Sequence, residues 1–293
     1  MRIALLAAGP KGANFLRNFS RDEMVDLVVS YASKGLRHDA HAEIESICRR
    51  KGYKLSAREN VRPEDYASAD LILLIGWQWI STKLDQRFVV FHDSLLPKLR
   101  GFNPTVTALI AGDAEIGVTA FSPIGGDASL ADSGPIFGQE KIPVRYPTDI
   151  RSVYERLGEA YCRLANRVLD AAAVGPLSFS QQDETSATYS LWRGEEDYQI
   201  DWTASADQVC RFVGAVGWPY MGAKTLVQGR EIRIDRVEPF HDLVFVNRSP
   251  GKIWSLAGGI PIVVCGSGML RIMEAREKDG SPVRFASLRA RLG

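Results

Sequence analysis

The chain has 293 residues, 45% hydrophobic and 24% charged, with 36 Lys+Arg against 35 Asp+Glu and a formal charge of +1. That length suits two domains with real cores, and so even a charge balance excludes a strong global field for nucleic acid or anionic membrane. No apolar run approaches the roughly 20 residues that cross a bilayer, residues 2–8 are too short for a secretory signal, and the four cysteines (Cys48, Cys162, Cys210, Cys265) contain no C-x-x-C pair, which points to reduced thiols in a cytoplasmic protein.

Residues 3–8 predict a first strand. Gly9-Pro10-Lys11-Gly12 follows it ahead of a helix. It lacks the G-x-G-x-x-G spacing, and no G-x-x-x-x-G-K-[ST] occurs, so it reads as a simple turn. Residues 25–30 predict a second strand and 40–51 a helix. His38-x-x-His41 has the spacing of a metal pair, but no third ligand is near, and a solvated helix start is the better reading. No metal is expected. Residues 71–75 and 88–91 are continuous apolar runs of strand length, as in strands buried on both faces of a parallel sheet. Residues 103–111 and 148–173 predict helices, and 117–121 and 136–144 further strands.

This alternation implies an α/β fold: an open, mostly parallel twisted sheet flanked by helices, Rossmann-like in plan. Ligands in such sheets sit beyond the carboxyl ends of strands, so the loops after Ile75 and Phe91 are the first places to look. Composition shifts after Gly175. Residues 178–188 are rich in Ser, Gln, Asp, Glu and Thr and read as a linker. A helix over 204–216 is followed by short strand-like runs at 223–227, 231–237, 252–255, 260–264 and 270–275, separated by Gly-rich turns. They predict a small β-barrel-like, OB-like module. The expected division is 1–180 as catalytic domain and 181–293 as C-terminal domain.

The chemistry concentrates between 88 and 144. His92 ends an apolar strand and opens Phe91-His92-Asp93-Ser94-Leu95-Leu96-Pro97. Forty residues on, Ala131-Asp132-Ser133-Gly134 enters another strand. An imidazole at a strand's carboxyl end and a carboxylate at the start of a neighbouring strand can share a proton. On spacing alone, a structural histidine with a capping aspartate is an equal alternative.

The sequence resembles the 10-formyltetrahydrofolate-dependent formyltransferases. The family pattern Asn-x-His-x-Ser-Leu-Leu-Pro, then Gly, Gly-Val-Thr and Asp-x-Gly is matched by His92, Ser94-Leu95-Leu96-Pro97, Gly101, Gly117-Val118-Thr119 and Asp132-Ser133-Gly134. The likeness continues through Ala187-Thr188-Tyr189, Ile200-Asp201-Trp202 and Pro219-Tyr220. It implies an N-formyltransferase with 10-formyltetrahydrofolate as co-substrate. His92 would take up the amine proton or face the oxyanion, and Asp132 would orient His92. The pterin would lie between Trp77, Gln78, Trp79 and Ile80 on one side and Gly126 and Asp127 on the other, with Leu95 and Leu96 as apolar walls. Val90 stands where the family has its asparagine. Asn103 is the candidate replacement donor, and a folate-binding protein without transferase activity stays open as an alternative. The acceptor is expected to be a small amine, foremost the amino group of a nucleotide-linked sugar, with methionyl-tRNA as the alternative. Residues 31–38 carry two formal positive charges, and residues 181–293 hold 14 Lys+Arg and 14 Asp+Glu, a poor complement to a polyphosphate chain.

Overall fold

The computed structural model describes residues 1–79, 84–127 and 129–293. In chain order its elements are β1 (Ile3–Ala7), α1 (Gly9–Asn18), β2 (Val25–Ser30), α2 (His41–Lys51), β3 (Leu55–Ala57), β4 (Leu71–Ile75), β5 (Phe88–His92), β6 (Arg100–Gly101), α3 (Pro104–Ala111), β7 (Glu115–Phe121), β8 (Ile136–Pro143), α4 (Ile150–Val174), β9 (Tyr189–Ser190), α5 (Ala206–Ala215), β10 (Ala223–Val227), β11 (Arg230–Phe240), β12 (Ile253–Ala257), β13 (Ile260–Val264) and β14 (Met269–Arg276). Two compact units result. One holds Met1–Pro104, Ala114–Val144 and Ser152–Leu191; the other holds Thr105–Asp113, Arg145–Arg151 and Trp192–Gly293.

The first unit is built on a seven-stranded sheet in the order β3-β2-β1-β4-β5-β7-β8. The chain runs outward from β1 to β3, then returns on the other side of β1 as β4. The topological switch point therefore lies between β1 and β4. Pairing is parallel from β3 to β5. It turns antiparallel at β7 and again at β8, so the sheet is mostly, not wholly, parallel. Both faces are covered, which explains the unbroken apolar runs. Ala4, Leu6, Leu27, Val29, Ile72, Leu74 and Phe88 form one core cluster, while the alternating Ile3, Leu5, Val28, Leu73, Ile75 and Val89 are fully buried. Each such aliphatic side chain contributes about 1.5–3 kcal/mol on burial. Helices α1 and α4 meet closely: a Cβ added to Gly158 would lie 2.8 Å from the Asn14 Cβ.

Three short strands escape the sequence pattern. β3, β6 and β9 are two or three residues long, too brief to show a period. Gly9-Pro10-Lys11-Gly12 is also more than a turn, since these residues are the first turn of α1 with Pro at its start. His41 opens α2, as expected for a helix start. Among the described residues no group of three or more potential metal ligands gathers, and no helix is long and apolar enough to cross a membrane.

The second unit carries an antiparallel sheet in the order β10-β11-β14-β13-β12, with α5 against β11 and β14. Ser205 and Gln208 form a capping box at the start of α5. The run of short strands thus forms one five-stranded antiparallel sheet. The last residues link its two margins: Leu292 pairs with Val227, Arg291 with Lys252, and the Leu292 amide donates to the Gly251 carbonyl at 2.8 Å. Cys48, Cys162 and Cys265 are buried free thiols and Cys210 is half-buried. Burial pushes all four up, to about 11 for Cys48 and Cys210 and about 12 for Cys162 and Cys265.

Candidate active site

His92 is the last residue of β5 and is 7% exposed. Its Nε2 lies 2.9 Å from the Leu99 main-chain oxygen. A carbonyl can only accept, so Nε2 carries the hydrogen and the tautomer of the neutral ring is fixed. Nδ1 is then the nitrogen that can gain or lose a proton, and it faces the Asp132 Oδ2 at 3.4 Å. The same Oδ2 accepts the Gly101 amide hydrogen at 2.8 Å. A proton arriving at this pair is shared between an imidazole nitrogen and a carboxylate oxygen in a largely buried corner.

Asp132 does not enter from a strand beside β5, as the sequence had suggested. β7 lies between β5 and β8, and its Thr119 is paired with His92. Asp132 instead arrives on the loop that joins β7 to β8. It adopts a left-handed φ of 51°, as do Leu99 at 57° and Asn103 at 50°. These are three of the four described non-glycine residues with positive φ, and each costs about 1 kcal/mol. Such outliers persist only where surrounding contacts over-determine them.

The contacts that do so come from residues 182–190. Sequence composition read 178–188 as a linker, yet Ser180 pairs with Ile136, and β9 pairs in parallel with β6. The Thr188 Oγ1 accepts from the Leu99 amide at 2.9 Å, and its carbonyl accepts from the Arg100 amide at 2.9 Å. Gln182 Nε2 donates to the carbonyls of Asp132 and Gly134, at 2.7 and 2.6 Å. Arg100 is fully buried and forks onto both oxygens of Glu184 at 2.7 Å. That hydrogen-bonded pairing raises the Arg100 guanidinium and lowers the Glu184 carboxyl. The signal was weak because polar residues look alike in a linker and in a hydrogen-bonding strap.

A second interaction escaped the sequence. Lys11 in the first turn of α1 reaches Asp93, the residue after His92, at 2.8 Å. It thus spans the switch point between β1 and β4. Tyr161, completely buried below, has its phenol raised well above the usual range by burial and then by the Asp93 charge. Its ring stands 6.1 Å from that of Phe91.

The residues expected around the pterin fall into distinct settings. Trp77 packs against the core cluster beside Val90 and meets Tyr31 edge-on at 5.1 Å. Trp79 is 50% exposed, with the Arg58 guanidinium 4.0 Å above its ring. Gln78 is exposed. Ile80 lies outside the described residues. Leu96 is 3% exposed and belongs to the core. Leu95 is half-buried over Gly117, where an added Cβ would come within 2.4 Å of the leucine Cδ2. Gly126 and Asp127 are exposed. The Asp127 carboxylate accepts from the Ser129 amide and hydroxyl, which hold it below the usual range. Val90, two residues before His92 on the same strand face, is spent on packing. Asn103 stands half-buried immediately before α3.

Comparison with known proteins gives a consistent result. A family model described as formyl transferase matches residues 18–169, and one described as formyl transferase, C-terminal domain, matches residues 194–291. The chain is 26% identical over 242 residues to a methionyl-tRNA formyltransferase of Sorangium cellulosum, covering 78% of this chain and 76% of that protein. HypX from Aquifex aeolicus, solved in complex with tetrahydrofolic acid, matches with a TM-score of 0.64 and 18% identity. It covers 99% of this chain, which spans 46% of the HypX chain, about half. An N-formyltransferase from Helicobacter canadensis, solved with folinic acid and dTDP-3-aminofucose, matches with a TM-score of 0.62 and 12% identity over 93% of this chain and 98% of that one. At those identities the two structures establish the shared fold.

Proposed function

We propose, since the chain belongs to the formyl transferase family, that it moves a formyl group from 10-formyltetrahydrofolate to the amino group of a small molecule, foremost a nucleotide-linked amino sugar. In this reading the neutral amine attacks the formyl carbon. The proton it sheds passes to the His92 Nδ1–Asp132 pair, and the same pair returns it to the departing folate nitrogen. The Asn103 amide faces the developing oxyanion in place of the donor that Val90 cannot supply. The pterin lies near Gln78, Trp79, Gly126 and Asp127, with Leu95 as an apolar wall.

The observation that carries the small acceptor is the charge of the C-terminal part. Its cations and acids balance at 14 each over residues 181–293. Lys224, Arg230, Arg233, Arg236, Arg248, Arg276 and Lys278, seven of those cations, already hold acidic partners. A surface that binds a tRNA backbone needs cations available to phosphate. A second reading, methionyl-tRNA as acceptor, is favoured by the Sorangium relative.

The test is direct. Tetrahydrofolate release is followed with dTDP-linked amino sugars and, separately, with charged initiator tRNA. Turnover with an amino sugar and none with tRNA supports the proposal. Efficient formylation of the tRNA alone overturns it in favour of the second reading.

A further inference from the structure

The Gln182 side-chain amide sits between two demands of opposite sign. Its Oε1 accepts from Arg100 Nε at 3.1 Å and Nη2 at 2.7 Å. A guanidinium offers only donors, so the oxygen must face it, and the NH2 must face the carbonyls of Asp132 and Gly134. Arg100 in turn is locked by the two-pronged bond to Glu184, a geometry that fixes angle as well as distance. The chain of contacts Glu184–Arg100–Gln182 therefore ends on the main chain of the residue whose carboxylate faces His92. That main chain sits in the left-handed region, where an unsupported aspartate would relax.

We infer that Gln182 is a positioning residue: by gripping the Asp132 carbonyl it sets the Oδ2–Nδ1 separation on which proton sharing with His92 depends. The inference rests on the His92–Asp132 reading of the site. Gln182 does not touch the reacting atoms, and it takes no part in the chemistry itself. Its amide holds Asp132 by hydrogen bonds that a carboxylate cannot make. Gln182→Glu keeps the acceptor for Arg100 and places an acceptor against two carbonyls; Gln182→Met removes both sets of bonds at similar volume.

Two measurements on the full chain test this. The ring nitrogens of the histidines, four in the chain, are followed by NMR as a function of pH, and formyl transfer is followed by tetrahydrofolate release. In Gln182→Glu the His92 ring-nitrogen resonances should leave their wild-type positions as the carboxylate partner drifts away from Nδ1. The turnover number should fall about 10²-fold, with KM for the folate changed by no more than about twofold. Gln182→Met should do the same; if it fails to fold, Gln182→Glu decides alone. A folded variant with unmoved His92 ring-nitrogen resonances and normal turnover overturns the inference. His92→Asn is run beside it. If His92→Asn keeps normal turnover, the reading of the site fails, whereas loss in His92→Asn with none in the Gln182 variants sinks only the role of Gln182.

Discussion

His92 gives its Nε2 hydrogen to the main-chain oxygen of Leu99, 2.9 Å away. This bond spends one ring nitrogen on orientation and leaves Nδ1 turned toward Asp132. Asp132 therefore faces Nδ1, the ring nitrogen that the main chain does not hold. Leu99 supplies the steering, from a left-handed backbone position held by Thr188.

The pair should be separable from the fold. Asp132→Asn keeps a residue type that tolerates the left-handed region, and it removes the negative charge. His92→Asn removes the exchangeable ring nitrogen. Each should lower the turnover number by about 10²–10⁴-fold while the thermal midpoint stays within about 3 °C, the shift of roughly 1 kcal/mol. Near-normal rates in both variants mean that the chemistry lies elsewhere.

Asn103 requires a substitution that respects its φ of 50°. Asn103→Ala mixes loss of the amide with backbone strain of about 1 kcal/mol. Asn103→Gly removes the amide alone. If the amide faces the oxyanion, both variants should lose about 10²-fold in turnover, and Asn103→Gly should hold its thermal midpoint. Full activity in Asn103→Gly assigns the missing donor to another group.

Gly117 tests the wall that the proposal assigns to Leu95. A Cβ there would fall 2.3 Å from the Glu140 carbonyl and 2.4 Å from the Leu95 Cδ2. The Leu95 tip can turn aside, but the carbonyl is part of the β7–β8 pairing, so the paired backbone must shift as well. Gly117→Ala should cost about 3 kcal/mol in a denaturant titration and should raise KM for the folate more than it lowers turnover. Unchanged stability would contradict the packing described for this strand.

The Glu184 carboxyl, held below the usual carboxylate range by its bond from Arg100, sets a pH dependence. Because the folded value is depressed, its contribution is fully present above the unfolded value of about 4.3. It is lost as pH falls through the lower folded value. Thermal melts from pH 7 to pH 3 should show wild type above Glu184→Gln at neutral pH, with the difference shrinking at the acid end. A difference that grows on acidification would reverse the sign of the coupling.

The amino-acid sequence determined six of the seven strands of the main sheet, most of them because strands buried on both faces must be apolar without interruption. It also determined where the family motif lies: His92 closes such a run, and Asp132 stands in the Gly-flanked turn before β8. Tertiary structure alone decided the direction of β7, since an apolar run has no polarity along the chain. It decided which nitrogen of His92 meets Asp132. It turned residues 182–190 from an apparent linker into the clamp on Leu99 and Asp132, and it joined Lys11 to Asp93. These last relationships are hydrogen bonds and an ion pair between groups 48 to 89 positions apart. Polar groups so far apart leave no period in the sequence, and only the folded chain brings donor to acceptor.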